Sequence, residues 1–163
     1  MKARKPHDSV TVDIDAPPER VYDLVADIGR MGEWSPECVR CSWAKGSSGA
    51  EVGARFKARN KGGRGPAWFN TPTVTVAERG REFAFSRVEK GAGTIVWRYV
   101  FSPEGTGARV TESYEVTQPV TLFGWFIIGV LYGNKDRRSV LHRGMSETLQ
   151  RLAALTEKRT TPG

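Results

Sequence analysis

Between Val10 and Pro36 the chain changes its hydrophobic period once, and that change constrains the fold more than any other feature. Val10, Val12 and Ile14 share one face of an extended segment, with Thr11, Asp13 and Asp15 on the other, as in a half-buried strand. After Ala16-Pro17 the period becomes helical: Val21, Leu24, Val25 and Ile28 stand at i, i+3, i+4 and i+7, one apolar stripe. Pro17 is expected at the first helical position, where its missing N–H is not needed. A short second helix then ends at Trp34 and Pro36.

Beyond Pro36 the chain reads as short strands separated by turn signals at Lys45–Gly49, Lys61–Pro66, Glu78–Gly80, Lys90–Gly93 and Pro103–Gly107. The strands expected are Cys38–Ala44, Arg55–Asn60, Trp68–Ala77, Glu82–Val88, Thr94–Ser102 and Ala108–Thr117, seven with the first. Such adjacent hairpins imply antiparallel pairing. From Gly133 the pattern is helical again, with Val140, Leu141, Met145, Leu149, Leu152 and Leu155 as its apolar stripe. The order β-αα-β₆-α is an α+β plan whose sheet must bury one face against the last helix.

The 163 residues are expected to form a single domain (1–163, core about 9–157) with 39% apolar and 26% charged residues, ordinary for a soluble globule. A net charge of +7 favours acidic partners or a solvated basic surface. The start, MKARKPHDS, has charges but no apolar stretch behind it, so a cytoplasmic protein without a signal peptide is expected.

Cys38 and Cys41 are spaced C-x-x-C but sit in an expected strand. Residues three apart on a strand point to opposite faces, which argues against a local disulfide or shared metal ligation. A zinc site would need two more ligands, and His7 and His142 are the only histidines. The expectation is two small strand residues, one facing the core, with no metal and no cofactor.

Five features in order resemble one superfamily: the V-x-V-x-I-D-A-P-x-x-x-V opening, Asp27 with Trp34 behind it, W-x-Y-x-F from Trp97 to Phe101, G-x-x-V-T-E-S from Gly107 to Ser113, and the terminal helix. Together they resemble the SRPBCC (START-like) superfamily, in particular its polyketide cyclase/dehydrase-like branch, over about Ser9 to Thr156. The resemblance implies a helix-grip fold, a curved antiparallel sheet of seven strands around a long C-terminal helix, with a ligand cavity between them. It also implies that residues in phase with the inward apolar positions line that cavity: Phe56, Phe85, Trp97, Tyr99, Tyr114 and Met145. Plain core packing is the alternative for each.

Glu112 falls in phase with Val110, Tyr114 and Val116, where an unpaired carboxylate is costly. It must pair with a cation, stay protonated, or face a wet cavity, unless a bulge turns it outward. Arg87, in phase with Phe83 and Phe85, is its expected partner. The apolar run Val120–Tyr132, with Trp125 as a further ligand-binding candidate, is too short to span a membrane, which takes about 20 residues. It reads as a lid over the cavity, a dimer face, or a membrane contact.

No G-x-S-x-G elbow, P-loop or dinucleotide fingerprint is present, and His142 lies among arginines on the expected solvent side. The mostly apolar inward set favours a small-molecule binding protein for a hydrophobic, lipid-like or aromatic polyketide-like ligand, as monomer or homodimer. A polyketide cyclase/aromatase-type enzyme is the alternative, with no catalytic residue assignable. Lipid transfer at a membrane ranks lower. Nucleic acid, suggested only by KARNKGGRG before Trp68 and Phe69, is not an expected partner.

Overall fold

The computed structural model describes residues 7–61, 65–89, 93–118 and 137–157. Strand β1 (His7–Ile14) alternates as its sequence dictates, with Val10 and Val12 half-buried and Ile14 buried. Helix α1 (Pro18–Ala26) starts one residue later than expected: Pro17 is its N-cap, at φ −60° and ψ 147°, and Pro18 takes the first helical position. The reason is that a residue preceding proline is pushed out of the helical region. The helix buries Val21, Tyr22, Leu24 and Val25. A 3₁₀ turn (Ile28–Arg30) buries Ile28 and leads into α2 (Met31–Trp34), which buries Met31 and Trp34.

Two antiparallel sheets follow. β2 (Cys38–Trp43), β3 (Phe56–Asn60) and β4 (Trp68–Asn70) form one, in the order β2-β3-β4. The other, in the order β1-β8-β7-β6-β5, holds β5 (Thr73–Glu78), β6 (Glu82–Glu89), β7 (Gly93–Glu104) and β8 (Gly107–Gln118). An Arg55–Thr73 bridge and the Val74 N–H to Ala54 C=O bond (2.8 Å) tie them together. The segment read as one strand, Trp68–Ala77, is divided at Thr71-Pro72, so eight strands are described rather than seven. Pro72 has no N–H to give a ladder, and the two halves join different sheets there. That break supplies the curvature expected of a helix-grip sheet.

Helix α3 (Arg137–Glu157) lies in the concavity and packs against β1, β8, α1 and α2. Met145, Leu149 and Leu152 are fully buried and Leu141 nearly so, while Leu155 packs half-buried at the margin. The residues from Gly133 to the start of α3, and the whole of Val120–Tyr132 with Trp125, lie outside the described residues. No described helix is long and apolar enough to cross a membrane.

One close approach fixes how α2 meets β2. A Cβ built on Gly32 would stand 2.7 Å from the backbone oxygen of Val39, so only glycine lets the two backbones touch here. Gly32→Ala is expected to lower stability by about 1–3 kcal/mol, the usual scale of overpacking. A lower denaturant midpoint at unchanged slope checks this.

Candidate functional site

The face of α3 that carries Leu141 and Met145 does not fill the concavity of the sheets, and a cavity of about 380 Å³ remains. Its apolar wall is formed by Phe56 from β3, Phe85 from β6, Trp97 from β7, and Met145 with Met31 across from them. Phe56 and Phe85 meet edge to face, with centroids 5.3 Å apart. All five are buried. Lys61, Arg143 and Glu147 also contribute to the lining, and all three are exposed to solvent.

Tyr99 and Glu112 add the polar part, and the β7–β8 register explains why they meet. The hairpin turns at Gly105 and Thr106, and residues equidistant from that turn are paired, so Tyr99 stands directly opposite Glu112. The Tyr99 hydroxyl donates to Glu112 Oε1 at 2.8 Å. Glu112 is 3% exposed, and its other carboxyl oxygen, Oε2, has no hydrogen-bond partner among the described residues. Burial pushes its pKa up to about 8, against the smaller downward pull of the Tyr99 hydrogen bond. Burial likewise raises the Tyr99 phenol well above its ordinary range, helped by the neighbouring Glu112 charge and hydrogen bond. At neutral pH Glu112 therefore carries a proton, and since Oε1 accepts from Tyr99 the proton belongs on Oε2.

Arg87 is buried and lines the same cavity, but it is not the partner of Glu112. Its Nη1 stands 4.0 Å from Glu37 Oε2, and its guanidinium lies 6.0 Å from the Trp97 ring centroid. The expected Arg87–Glu112 pair fails because Tyr99, directly across the ladder, is nearer to Glu112 than a residue one strand further away. Tyr114 is buried but does not line the cavity; paired with Trp97 across the β7–β8 ladder, it stands beside that ring on the same face, with centroids 5.4 Å apart. Trp125 lies outside the described residues. His142 is exposed on α3, with Nδ1 2.8 Å from Asp8 Oδ2 on β1.

The cavity also takes residues that were not among the expected lining: Asn60, Cys38 and the Ser35–Glu37 connection. Asn60 was within reach, since it follows Phe56 and Ala58 at period two and is buried like them. Asn60 Nδ2 and Trp97 Nε1, like Glu112 Oε2, have no hydrogen-bond partner among the described residues. Cys38 and Cys41 do not point to opposite faces as residues three apart on a regular strand would. β2 bulges between Cys38 and Arg40, which adds one residue to the alternation and turns both sulfurs inward, 2.6 Å apart. Among the described residues no group of three or more His, Cys, Asp or Glu is placed to hold a metal ion.

The raised Glu112 pKa has a consequence for stability. An unfolded glutamate releases its proton near 4.5, whereas the folded one holds it to about 8. Below the lower value the group carries its proton in both states and costs nothing. As the pH rises through this window the unfolded state binds fewer protons than the folded state, so stability falls, and the loss is complete above the upper value. Glu112→Gln reproduces the neutral acid without ionising. It is expected to lack this slope and to exceed the wild type at pH 9 by several kcal/mol, at about 1.4 kcal/mol per pKa unit. Denaturant unfolding at pH 5 and pH 9 measures both, and equal slopes would show that Glu112 ionises in the folded protein.

Comparison with known proteins fits this architecture. The sequence profile of the family described as polyketide cyclase / dehydrase and lipid transport matches residues 6–157. No functionally curated protein matches the chain. Among solved structures, the Polyketide_cyc-like protein Cgl2372 of Corynebacterium glutamicum is 30% identical, with a TM-score of 0.54, covering 94% of this chain and 91% of its own. The di-domain ARO/CYC StfQ of the steffimycin biosynthetic pathway is 15% identical with a TM-score of 0.75; the match covers 94% of this chain and 51% of that one. Major latex-like protein 151 of Panax ginseng is 14% identical with a TM-score of 0.69, covering 93% and 97%. The cavity between sheet and helix, the element order and the profile match agree: the chain belongs to the polyketide cyclase/dehydrase and lipid transport family of the SRPBCC superfamily.

Proposed function

We propose that the protein binds a mainly apolar small molecule bearing acceptor oxygens, in the cavity between its sheets and helix α3. The observation that carries this reading is the mismatch between the two parts of the cavity wall. Phe56, Phe85, Trp97 and Met145 offer an apolar surface, yet Asn60 Nδ2, Trp97 Nε1 and the protonated Glu112 Oε2 are buried donors without an acceptor among the described residues. Unsatisfied buried donors cost free energy, about 1–3 kcal/mol each, unless something in the cavity accepts from them. A ligand with carbonyl, carboxyl or phenolic oxygens supplies those acceptors, and its hydrophobic body fits the rest. The volume, about 380 Å³, lies in the range of small-molecule sites. Arg87 gives the site a positive charge suited to an anionic or strongly polarised end of the ligand.

A second reading, a polyketide cyclase/aromatase-type enzyme, draws support from one observation. A carboxyl with a pKa of about 8 beside a tyrosine is poised to donate and recover a proton near neutral pH, which is what general acid catalysis at a ketone oxygen requires. StfQ, a structural neighbour, is an ARO/CYC of a biosynthetic pathway. The two readings place the same ligand chemistry in the same cavity and differ in whether the bound molecule is changed.

Native mass spectrometry of freshly purified protein, followed by extraction, tests for a co-purified molecule of this class. Thermal-shift titrations with fatty acids and aromatic polyketides, each against a matched hydrocarbon lacking oxygen, test the chemistry. Oxygenated ligands are expected to raise the melting temperature and to bind about tenfold or more tightly than the hydrocarbons, a difference of about 1.4 kcal/mol. Failure of every ligand to bind overturns the reading. Glu112→Gln, which keeps a neutral donor, is expected to retain binding; turnover of a polyketide by the wild type that disappears in this variant decides for the enzyme.

A further inference from the structure

Cys38 and Cys41 take no part in the proposed ligand binding, and their placement differs from that of residues on a regular strand. The bulge at Val39 points both side chains inward, and each is 5% exposed. Their sulfurs stand 2.6 Å apart. Two thiolates on one tetrahedral zinc would stand about 3.8 Å apart, given Zn–S bonds near 2.3 Å. The pair is thus arranged for bonding to each other rather than around a metal. The two sulfurs are not equivalent: Cys38 lines the cavity, whereas Cys41 does not and is backed by Met31 Sδ at 3.7 Å.

We propose that Cys38 and Cys41 form a dithiol–disulfide redox site in the cavity wall, in which Cys38 meets a small peroxide entering the cavity and Cys41 resolves the product. Electrostatics favour that division of labour. The hydrogen bond shared with Cys41 holds the Cys38 thiol below its ordinary range against the opposing effect of burial, with help from the Arg40 backbone N–H and the Arg87 charge. The same hydrogen bond, together with burial, pushes the Cys41 thiol up. The thiolate is the reactive form, so the sulfur with access to the cavity is also the more nucleophilic one.

The chemistry balances in two steps. The Cys38 thiolate attacks one oxygen of hydrogen peroxide; an S–O bond forms, the O–O bond breaks, and hydroxide leaves to become water with the proton released by Cys38. Cys41 then attacks the sulfenic sulfur; the S–S bond forms, the S–O bond breaks, and the sulfenic oxygen departs as a second water with the Cys41 proton. The two thiols are oxidised by two electrons in all, and the peroxide is reduced by two. A thiol reductant restores the dithiol by exchange.

Peptide mapping tests this directly, because trypsin cleaves after Arg40 and separates the two cysteines. Reduced full-length protein is exposed to hydrogen peroxide, residual thiols are alkylated, and the digest is read by mass spectrometry. The expected result is a Cys38 peptide linked to a Cys41 peptide within one chain, lost on reduction. The peroxide reaction is also followed in Cys41→Ser and Cys38→Ser. The first is expected to accumulate a dimedone-reactive sulfenic acid at Cys38, and the second to react about tenfold or more slowly, since Cys41 lacks both access and thiolate character. Separate alkylated peptides from the wild type after peroxide, disulfides between chains, or equal reactivity of the two variants would each overturn the proposal. The wild-type map needs no variant to fold, and it is independent of whether any apolar ligand binds.

Discussion

The long antiparallel pairing of β7 with β8 is the constraint on which the rest of the architecture depends. It places β8 between β1 and β7 and aligns Trp97 with Tyr114, Tyr99 with Glu112 and Phe101 with Val110. A slip of one residue would turn every one of these side chains to the opposite face, because the side-chain period of a strand is two. The turn that prevents it is compact: Gly105 takes a positive φ of 57°, a conformation open to glycine at little cost and suited to two-residue hairpin loops. With this register held, β6 adds Phe83 and Phe85 beside Tyr99 and Trp97, and the aromatic layer is complete. Tyr22 from α1 closes one end of that layer, edge-on to Phe83 and Phe101.

Against that layer the interior divides into a packed half and an open half. Around Val21, Val25, Phe83, Leu149 and Leu152 the core is fully closed. Around Phe56, Phe85, Trp97 and Met145 the helix and the sheets part, leaving the cavity. The polar groups sit on the open side. A neutral carboxyl hydrogen-bonded to a buried phenol is the cheaper way to keep Glu112 inside, since an isolated buried carboxylate would cost far more. Trp34 meets Tyr99 edge-on at 5.9 Å, and so the short helix α2 holds the phenol against Glu112. The geometry of the fold, sheets that one helix does not fill, and the particular chemistry of this chain thus meet at one residue pair.

The bulge in β2 has a comparable reach. One extra residue between Cys38 and Arg40 turns Cys41 inward and presents Val39 and Arg40 to solvent. Gly32 allows α2 to lie on that same stretch, which brings Met31 to the sulfurs and carries Ser35, Pro36 and Glu37 to the cavity. Local backbone irregularity, rather than side-chain pattern, decides what chemistry this corner contains.

Much of the fold was legible in the sequence because it rests on periodicity. The change from period two to period 3.6 after Ile14, the stripe Leu141-Met145-Leu149-Leu152 and the turn at Gly105 each follow from residues near one another in the chain. The inward placement of Phe56, Phe85, Trp97, Tyr99 and Glu112 followed from the same alternation. What the sequence by itself determined, then, was which residues of the regular strands and of the last helix face inward. Which of them touch was decided only by the tertiary structure. Tyr99 rather than Arg87 binds Glu112, Tyr114 packs beside Trp97 instead of lining the cavity, and Cys38 and Cys41 converge instead of diverging. The physical reason is common to all three. Alternation fixes a face through local sterics, whereas contact across strands depends on register, bulges and chain breaks such as Pro72, and these are set by the whole sheet.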